Sequence, residues 1–346
     1  MAVGLPLKTT YANGDVYSAS DVNDTNGTVN LFQTSTLSSS AGKNVIINGG
    51  LDIWQRGTSS ASSGVYLADR WYQIAAGTTT ISRDTDVPSG VPVQYSIKWV
   101  TSASSSFGQF YQMIEQANVI PLRGQTMTGS IYVKTSGSYS GSLVLKVEYN
   151  TTSDTYGGGT WVLLNEVAFT GSSVTSWTRK TNTFTVPTNA VGIRFSLLPD
   201  AVQASGVTVF MTGAQVERGS YATTFSRAGG TIQGELAACQ RYYWRQNGTT
   251  NQFVVPVCGS ATNSTTPFFV IMNPVPMRVK ASSIDTATLQ AADGTAGYAL
   301  SSIGVSSQSS ELVSYVTASS TGLTAFRPLT INSSGASGYI GFSAEL

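Results

Sequence analysis

Hydrophobic and polar residues alternate with a period of two along much of this 346-residue chain. Alternation of this kind is typical of β-strands that bury one face and expose the other. Turn-forming Gly, Ser, Asn and Pro separate the alternating stretches, with almost no helical pattern between them. The sequence therefore predicts an all-β protein of sandwiches or barrels. The predicted strands include residues 130–134, 143–149, 181–186, 192–197, 253–257, 267–272, 312–316 and 338–342.

The pattern divides the chain into four segments. Residues 1–43 are polar and form an arm, either flexible or joined to other copies through a weak heptad-like seam of Val22, Thr25, Val29 and Phe32. Residues 44–228 have the length of one sandwich domain. Residues 229–247 form a linker with a helix, and residues 248–346 return to short strands as a smaller C-terminal β-sandwich.

The helix predicted at residues 234–246 carries more apolar and aromatic groups than one packed side can hide. We therefore predict that it contacts another domain or another subunit. Its stretch Arg241–Arg245 mixes basic and aromatic residues, as in a nucleic-acid stacking site, but the neutral charge of the chain favours the packed contact. The predicted contact residues are Leu236, Cys239, Tyr243 and Trp244.

Composition excludes several classes of function. The chain has 19 basic and 18 acidic residues and no histidine. A net charge of +1 argues against general nucleic-acid binding. Without histidine there is no Ser-His-Asp catalysis and no His-ligated metal.

Targeting signals are also missing from the pattern. Two cysteines give no disulfide framework, and we expect Cys239 and Cys258 to be free thiols in a reducing cytosol. No signal peptide is recognisable at the N-terminus. The longest apolar run, residues 267–272, is too short for membrane insertion.

Catalysis has little support in the sequence. A glycosidase needs two carboxylates facing each other at about 5 to 9 Å, and the acidic residues here are few and scattered. Asp84 and Asp86 would share one face of a strand, which favours surface pairing. We therefore expect a protein that is not an enzyme and needs no cofactor.

Binding has more support, because five of the six tryptophans lie in residues 44–228. An aromatic ring stacks on the C–H face of a sugar, while nearby amides and hydroxyls satisfy its hydroxyl groups. The segment from Tyr149 to Trp161 has this mixture at a predicted hairpin end. Tyr149, Tyr156 and Trp161 are the predicted carbohydrate-binding residues. The alternative is that the tryptophans fill the core.

Three motifs carry a resemblance to a known family. Asn48-Gly-Gly-Leu-Asp-Ile-Trp-Gln-Arg-Gly57, Ala68-Asp-Arg-Trp71 and residues 215–225 resemble a module of bacteriophage tail fibres, which is itself similar to jelly-roll carbohydrate-binding domains. Further segments resemble the other parts of such fibres in the same order along the chain. These segments are residues 14–23, 235–243, 274–278 and 342–346.

The resemblance implies a homotrimeric virion appendage, of the tail or the collar, assembled in the host cytoplasm. Residues 1–43 would dock on other virion proteins. The jelly roll of residues 44–228 and the C-terminal tip would bind host-surface glycans, with weak contacts multiplied by valence. The alternative is a purely structural virion fibre or decoration protein that binds no glycan, and a glycan hydrolase is a third possibility.

Some jelly-roll binding domains carry a structural calcium ion. Carried over to this chain, the resemblance gives Asn48, Asp52 and Glu217 as candidate ligands, because calcium is bound by six to eight oxygen atoms. The alternative is a purely structural role, in which Asp52 hydrogen-bonds a turn. Nucleic acid and membrane are not expected as partners.

Overall fold

The structure is a computed structural model that describes residues 42–74, 79–103, 108–136, 138–152, 160–249, 252, 254 and 258–346. The predicted N-terminal arm, apart from its last two residues, and Tyr156 lie outside the described residues. Within them, strands dominate and two short α-helices occur, so the all-β prediction is confirmed.

Twenty-two strands are described. They are β1 (Ser59–Ser60), β2 (Val65–Tyr66), β3 (Tyr72–Ile74), β4 (Thr79–Asp84), β5 (Ser96–Thr101), β6 (Gln109–Ile114), β7 (Thr126–Thr135), β8 (Ser142–Asn150), β9 (Val162–Thr170), β10 (Thr178–Thr185), β11 (Gly192–Pro199), β12 (Thr208–Arg218), β13 (Tyr243–Gly248), β14 (Cys258–Ala261), β15 (Pro267–Met272), β16 (Ser283–Ala287), β17 (Leu289–Ala292), β18 (Gly297–Ala299), β19 (Ser301–Val305), β20 (Val313–Ser319), β21 (Pro328–Ser333) and β22 (Gly338–Ser343). The helices are α1 (Gln116–Val119) and α2 (Ile232–Gln240), and the 3-10 helices are Ile120–Leu122 and Gly171–Ser173.

The first twelve strands form a jelly roll. Sheet 1 has the strand order β1-β4-β5-β12-β7-β10, and sheet 2 has the order β2-β3-β6-β11-β8-β9. Among the eight strands β5 to β12, the first pairs with the last, the second with the seventh, the third with the sixth and the fourth with the fifth, all antiparallel. This nested pairing is one long antiparallel hairpin rolled into two sheets, which confirms the jelly-roll prediction.

Alternation along the strands explains why the two sheets pack together. In β8, Leu143, Leu145 and Val147 are buried in the core, whereas Val144 and Lys146 point to the other face. The core contains Trp71 stacked on Phe110, with ring centroids 5.0 Å apart. Large buried side chains of this kind each contribute about 1.5–3 kcal/mol of hydrophobic stabilisation.

A bulge in β12 interrupts this regular pattern. The register with β7 shifts between Thr212 and Gln215, and Gly213 lies there at φ 62°. A side chain is strained at this φ, and a Cβ on Gly213 would lie 2.9 Å from the ring of Tyr132. The bulge therefore requires glycine at this position.

The last ten strands form a second pair of sheets around a second core. Sheet 3 has the order β13-β22-β16, and sheet 4 has the order β18-β17-β21-β14-β15-β20-β19. The core between them includes Phe269, Ile331 and Phe342. Trp244 stacks on Phe342 with ring centroids 4.9 Å apart.

Helix α2 is shorter than predicted. Thr231 caps its N-terminus, because the hydroxyl accepts a hydrogen bond from the backbone N–H of Gly234 at 3.0 Å. The helix ends at Gln240, and Tyr243–Gly248 form strand β13 against β22. The prediction of a helix through residue 246 is therefore wrong, because pairing with a distant strand replaces the last helical turns.

A buried ion-pair cluster joins the jelly roll to the C-terminal sheets. Arg56 lies 3.2 Å from Glu345, and Arg70, which is 2% exposed, also pairs with this carboxylate. Nearby, the side-chain amide of Gln55 donates to the carbonyl of Tyr243 at 2.7 Å. The guanidinium of Arg56 lies 3.5 Å from the centre of the Tyr243 ring. We call Arg56, Arg70 and Glu345 the junction cluster.

No helix within the described ranges is long and apolar enough to cross a membrane.

Candidate functional site

The outer face of sheet 2 carries a continuous row of polar and aromatic side chains. Cross-strand register places one residue from each of the six strands in this row. Because residues that are partners in register share a face of the sheet, the row follows from the pairing alone. Its members, in order across the sheet, are Tyr66, Tyr72, Tyr111, Ser196, Lys146 and Glu166.

Three tyrosines on adjacent strands form one end of this row, and we call Tyr66, Tyr72 and Tyr111 the tyrosine row. The ring of Tyr72 lies edge-on to that of Tyr66 with centroids 4.9 Å apart, and 5.3 Å from that of Tyr111. Burial raises the pKa of Tyr111 to about 12, and the neighbouring Tyr72 adds to the rise. Tyr111 is only 6% exposed, so the accessible rings of the row are those of Tyr66 and Tyr72, which are half-buried.

A charged cluster lies beside the tyrosine row. Arg194 Nε donates to Glu148 Oε2 at 2.7 Å, and Lys146 Nζ lies 2.8 Å from Glu148 Oε1. The Arg194 guanidinium is 5.3 Å from the centre of the Tyr111 ring and 4.7 Å from that of Trp161. Arg194 thus links the tyrosine row to Trp161, and cation–π attraction stabilises this arrangement.

These groups together can bind a ligand that is both apolar and rich in hydroxyls. The half-buried rings of Tyr66, Tyr72 and Trp161 provide stacking surfaces. Charged side chains and amides around them provide hydrogen bonds, for example Gln109, which donates to the hydroxyl of Ser196 at 3.0 Å. Small-molecule sites typically combine a few aromatic rings with polar groups that converge on the ligand.

The three predicted carbohydrate-binding residues do not come together. Trp161 lies beside Arg194, next to the outer face of sheet 2. Tyr149 packs against the jelly-roll core, because its partner in register is the buried core residue Ile193. A carbohydrate-binding role of the half-buried Tyr149 stays a prediction, and Tyr156 lies outside the described residues.

The three candidate calcium ligands have protein partners. Asn48 donates to the carbonyls of Ile53 and Asp69 and fixes the turn of the first motif. Asp52 accepts a hydrogen bond from Arg227 at 2.8 Å.

Glu217, the third candidate, accepts from the hydroxyl of Thr223 at 2.6 Å and pairs with Lys43. Each of the three side chains therefore has a structural role, and calcium binding there stays a prediction. Within the described ranges, no group of three or more Cys, Asp or Glu side chains could hold a metal ion.

Of the four predicted contact residues of the linker, only Tyr243 is seen to contact the jelly roll. Tyr243 contacts Gln55 and Arg56 of the jelly roll. Trp244 packs into the C-terminal core, Cys239 is fully buried as a free thiol with a raised pKa, and Leu236 is half-buried.

Sequence reasoning missed Tyr72, Tyr111 and Arg194. Each is a polar or aromatic residue at an alternating position of a strand, which reads in sequence as one face of an ordinary sheet. The missing information was the register, since only the pairing of β3, β6, β11 and β8 brings these residues together.

No family model matches the sequence, and no curated protein matches it. Among solved structures, a family 16 carbohydrate-binding module is 20% identical, with a TM-score of 0.29, over 39% of this chain and 84% of that chain.

Two further solved structures have similarly low sequence identities and TM-scores. The tailspike protein 4 enzymatically active domain of bacteriophage CBA120 is 11% identical, with a TM-score of 0.35, over 51% of this chain and 21% of that chain. The CBM22-1 xylan-binding domain of Paenibacillus barcinonensis Xyn10C is 12% identical, with a TM-score of 0.31, over 53% of this chain and 99% of that chain. With TM-scores this low, the fold assignment rests on the strand pairing described above.

Proposed function

We propose that this chain is a fibre protein of a bacteriophage virion that binds host-surface glycans through the outer face of sheet 2. The order of the fibre-like motifs along the sequence supports the virion role. The jelly-roll pairing supports a binding module. The single observation that carries the binding role is the tyrosine row beside the cluster of Arg194, Glu148 and Lys146.

The chemistry of this face matches a sugar better than a lipid or an anion. Sugar rings offer apolar C–H faces to aromatic rings and hydroxyl groups to charged hydrogen-bonding side chains. Glu148 pairs with Arg194 and Lys146, and Glu166 lies opposite Lys146 in register, so two acidic residues balance the two basic ones. A strongly anionic ligand would therefore meet no excess of positive charge here.

Binding without turnover is part of this proposal. Both carboxylate oxygens of Glu148 are held by basic partners, one by Lys146 and one by Arg194. Both oxygens are therefore occupied within the protein, whereas a glycosidase needs two facing carboxyl groups that can reach the glycosidic bond.

The proposed assembly is a homotrimer that docks on the particle through residues 1–43. Three identical sites on one fibre raise the effective concentration of each site once the first is occupied. A shallow face that binds a single sugar weakly is then sufficient for stable adhesion to a cell. Mass spectrometry of purified virions tests the location, and absence of the chain from the particles would contradict it.

A substitution series tests the binding face. Tyr72→Ala and Trp161→Ala each remove one stacking ring from a half-buried position. We expect each to weaken binding by about tenfold or more on a glycan array and on host cells, since loss of an anchor residue costs about 1.4 kcal/mol or more.

Tyr221→Ala is the matched control, because Tyr221 is 80% exposed and lies after β12, outside sheet 2. We expect the control to bind as the wild type does. Equal binding by all three variants would contradict the assignment of the face. A folded wild-type chain that binds no glycan and no cell would favour the purely structural fibre.

A further inference from the structure

Sheet 4 has a solvent-facing side of unusual composition. Its seven strands contain no Asp, Glu, Lys or Arg. Soluble protein surfaces usually carry roughly 25–35% charged residues. The outer face of sheet 2, by contrast, carries Lys146, Glu148 and Arg194.

Alternation and register define which side chains form this outer face. In β15, Phe269 and Ile271 enter the C-terminal core, so Phe268, Val270 and Met272 point outward. Their partners in β20 also point outward. The remaining outward residues on the central strands are Ser260, Val313, Tyr315, Thr317, Pro328, Thr330 and Asn332.

The centre of this face is apolar and exposed. Met272 is 69% exposed and Val270 is 40% exposed, and Phe268 stacks on Tyr315 with ring centroids 5.6 Å apart. The two most exposed of these side chains offer no strong hydrogen-bonding group to a sugar. Contiguous exposed apolar surface of this kind marks contact with another protein.

We infer that the outer face of sheet 4 packs against a second copy of this chain, an inference that rests on the proposed assembly of the protein into a multimeric fibre. In the proposed cyclic trimer, every copy presents the same patch toward the three-fold axis. A charge on such a patch meets its own like charge near the symmetry axis, which destabilises the contact. A face without any charge is the composition that avoids this repulsion, whereas a charged foreign partner would select for complementary charge.

The face is large enough to form most of a stable contact. Seven strands about 4.8 Å apart span roughly 30 Å, and strands of three to seven residues span about 17 Å on average. The flat area is therefore about 500 Å², before the relief of the side chains is counted. Stable interfaces bury about 800 Å² per partner.

The molar mass of the full chain in solution tests the inference. Met272→Lys and Val270→Lys put a charge on the exposed centre of the face without touching the core. We expect the wild type to be an oligomer by light scattering and both variants to shift to the 36.4 kDa monomer at the same concentration. Circular dichroism and the melting temperature confirm that the variants are folded.

Val202→Lys is the matched control, because Val202 is 61% exposed on a loop of the jelly roll. We expect it to keep the wild-type mass. If all variants stay oligomeric, the face is not the contact, although the proposed fibre assembly stands. A monomeric wild type overturns both the inference and the assembly, while glycan binding is judged separately by Tyr72→Ala. Lysine variants that stay oligomeric but lose glycan binding would make the face a sugar site instead.

Discussion

Asp69 is a buried carboxyl group whose protonation is coupled to folding. It is 1% exposed, and its main partners are Gln55 and, at 3.8 Å, Arg56. Burial raises its pKa to about 6, and these partners offset only part of the effect. The folded state therefore binds a proton more tightly than the unfolded state does.

The sign of the pH dependence follows from this shift. Between about pH 4 and pH 6 the folded chain holds more protons at Asp69 than the unfolded chain, so stability falls as pH rises through this window. Asp69→Asn removes the titration. We compare the melting temperature of the wild type with that of Asp69→Asn. We predict that the difference, wild type minus variant, decreases by several degrees from pH 4 to pH 7.

Calorimetry of both proteins at several pH values measures this difference. Asp84→Asn is the control, because Asp84 is partly exposed and pairs with Lys98. A wild-type-minus-Asp69→Asn difference that stays constant with pH would show that the pKa of Asp69 is the same in the folded and unfolded chain, so that its partners fully offset burial.

Helix α2 depends on a close approach of backbone to backbone. A Cβ on Gly234 would lie 2.1 Å from the carbonyl oxygen of Gly229. The N–H of Gly229 also donates to Glu235 Oε2 at 2.7 Å, so the two segments are held together on both sides. Glycine is required here for space.

We predict that Gly234→Ala destabilises the protein by about 1–3 kcal/mol, as overpacking does. Helix propensity alone predicts the opposite, a gain of about 1 kcal/mol. Urea denaturation distinguishes the two. Gln233→Ala, at an exposed position of the same helix, should change stability by less than about 0.5 kcal/mol. A stabilised Gly234→Ala would mean that the segments separate easily.

Strands and helix differ in how far sequence predicts them. The alternation in β8 and β15 is strong because each strand buries one face, and both were located within a residue or so. The end of α2 was not predicted, because Tyr243 and Trp244 pair with β22, about a hundred residues further along. Local propensity carries no information about that pairing.

The candidate site shows the same limit. Composition favoured aromatic sugar binding, and it located Trp161 near the site. It also included Tyr149, although this residue continues the alternation of Leu143, Leu145 and Val147 toward the core and pairs with the buried Ile193. What the sequence does not contain is the register that brings Tyr72, Tyr111 and Arg194 together, and a shift of one residue would reverse the face of each.

The two halves of the molecule meet at the motifs that carry the sequence resemblance. Arg56 belongs to the first motif, Arg70 to the second, and Glu345 to the fibre-like segment of residues 342–346. Backbone contacts reinforce them, since Ala344 N–H donates to the carbonyl of Tyr242 at 2.7 Å. The residues that make the sequence recognisable are thus the residues that join the jelly roll to the C-terminal sheets.

This arrangement predicts that the two halves unfold together and that Glu345 couples them. Glu345→Gln leaves the buried guanidinium of Arg70 without its carboxylate, and breaking a buried pair in this way costs about 3–5 kcal/mol. Separation of the halves would return Arg70 to water, so we expect the single calorimetric transition of the wild type to split into two, with the first at a lower temperature.

Glu311→Gln removes an exposed carboxylate of the same half and should leave one transition. A single, unshifted transition in Glu345→Gln would mean that the remaining junction contacts suffice to hold the halves together without this ion pair.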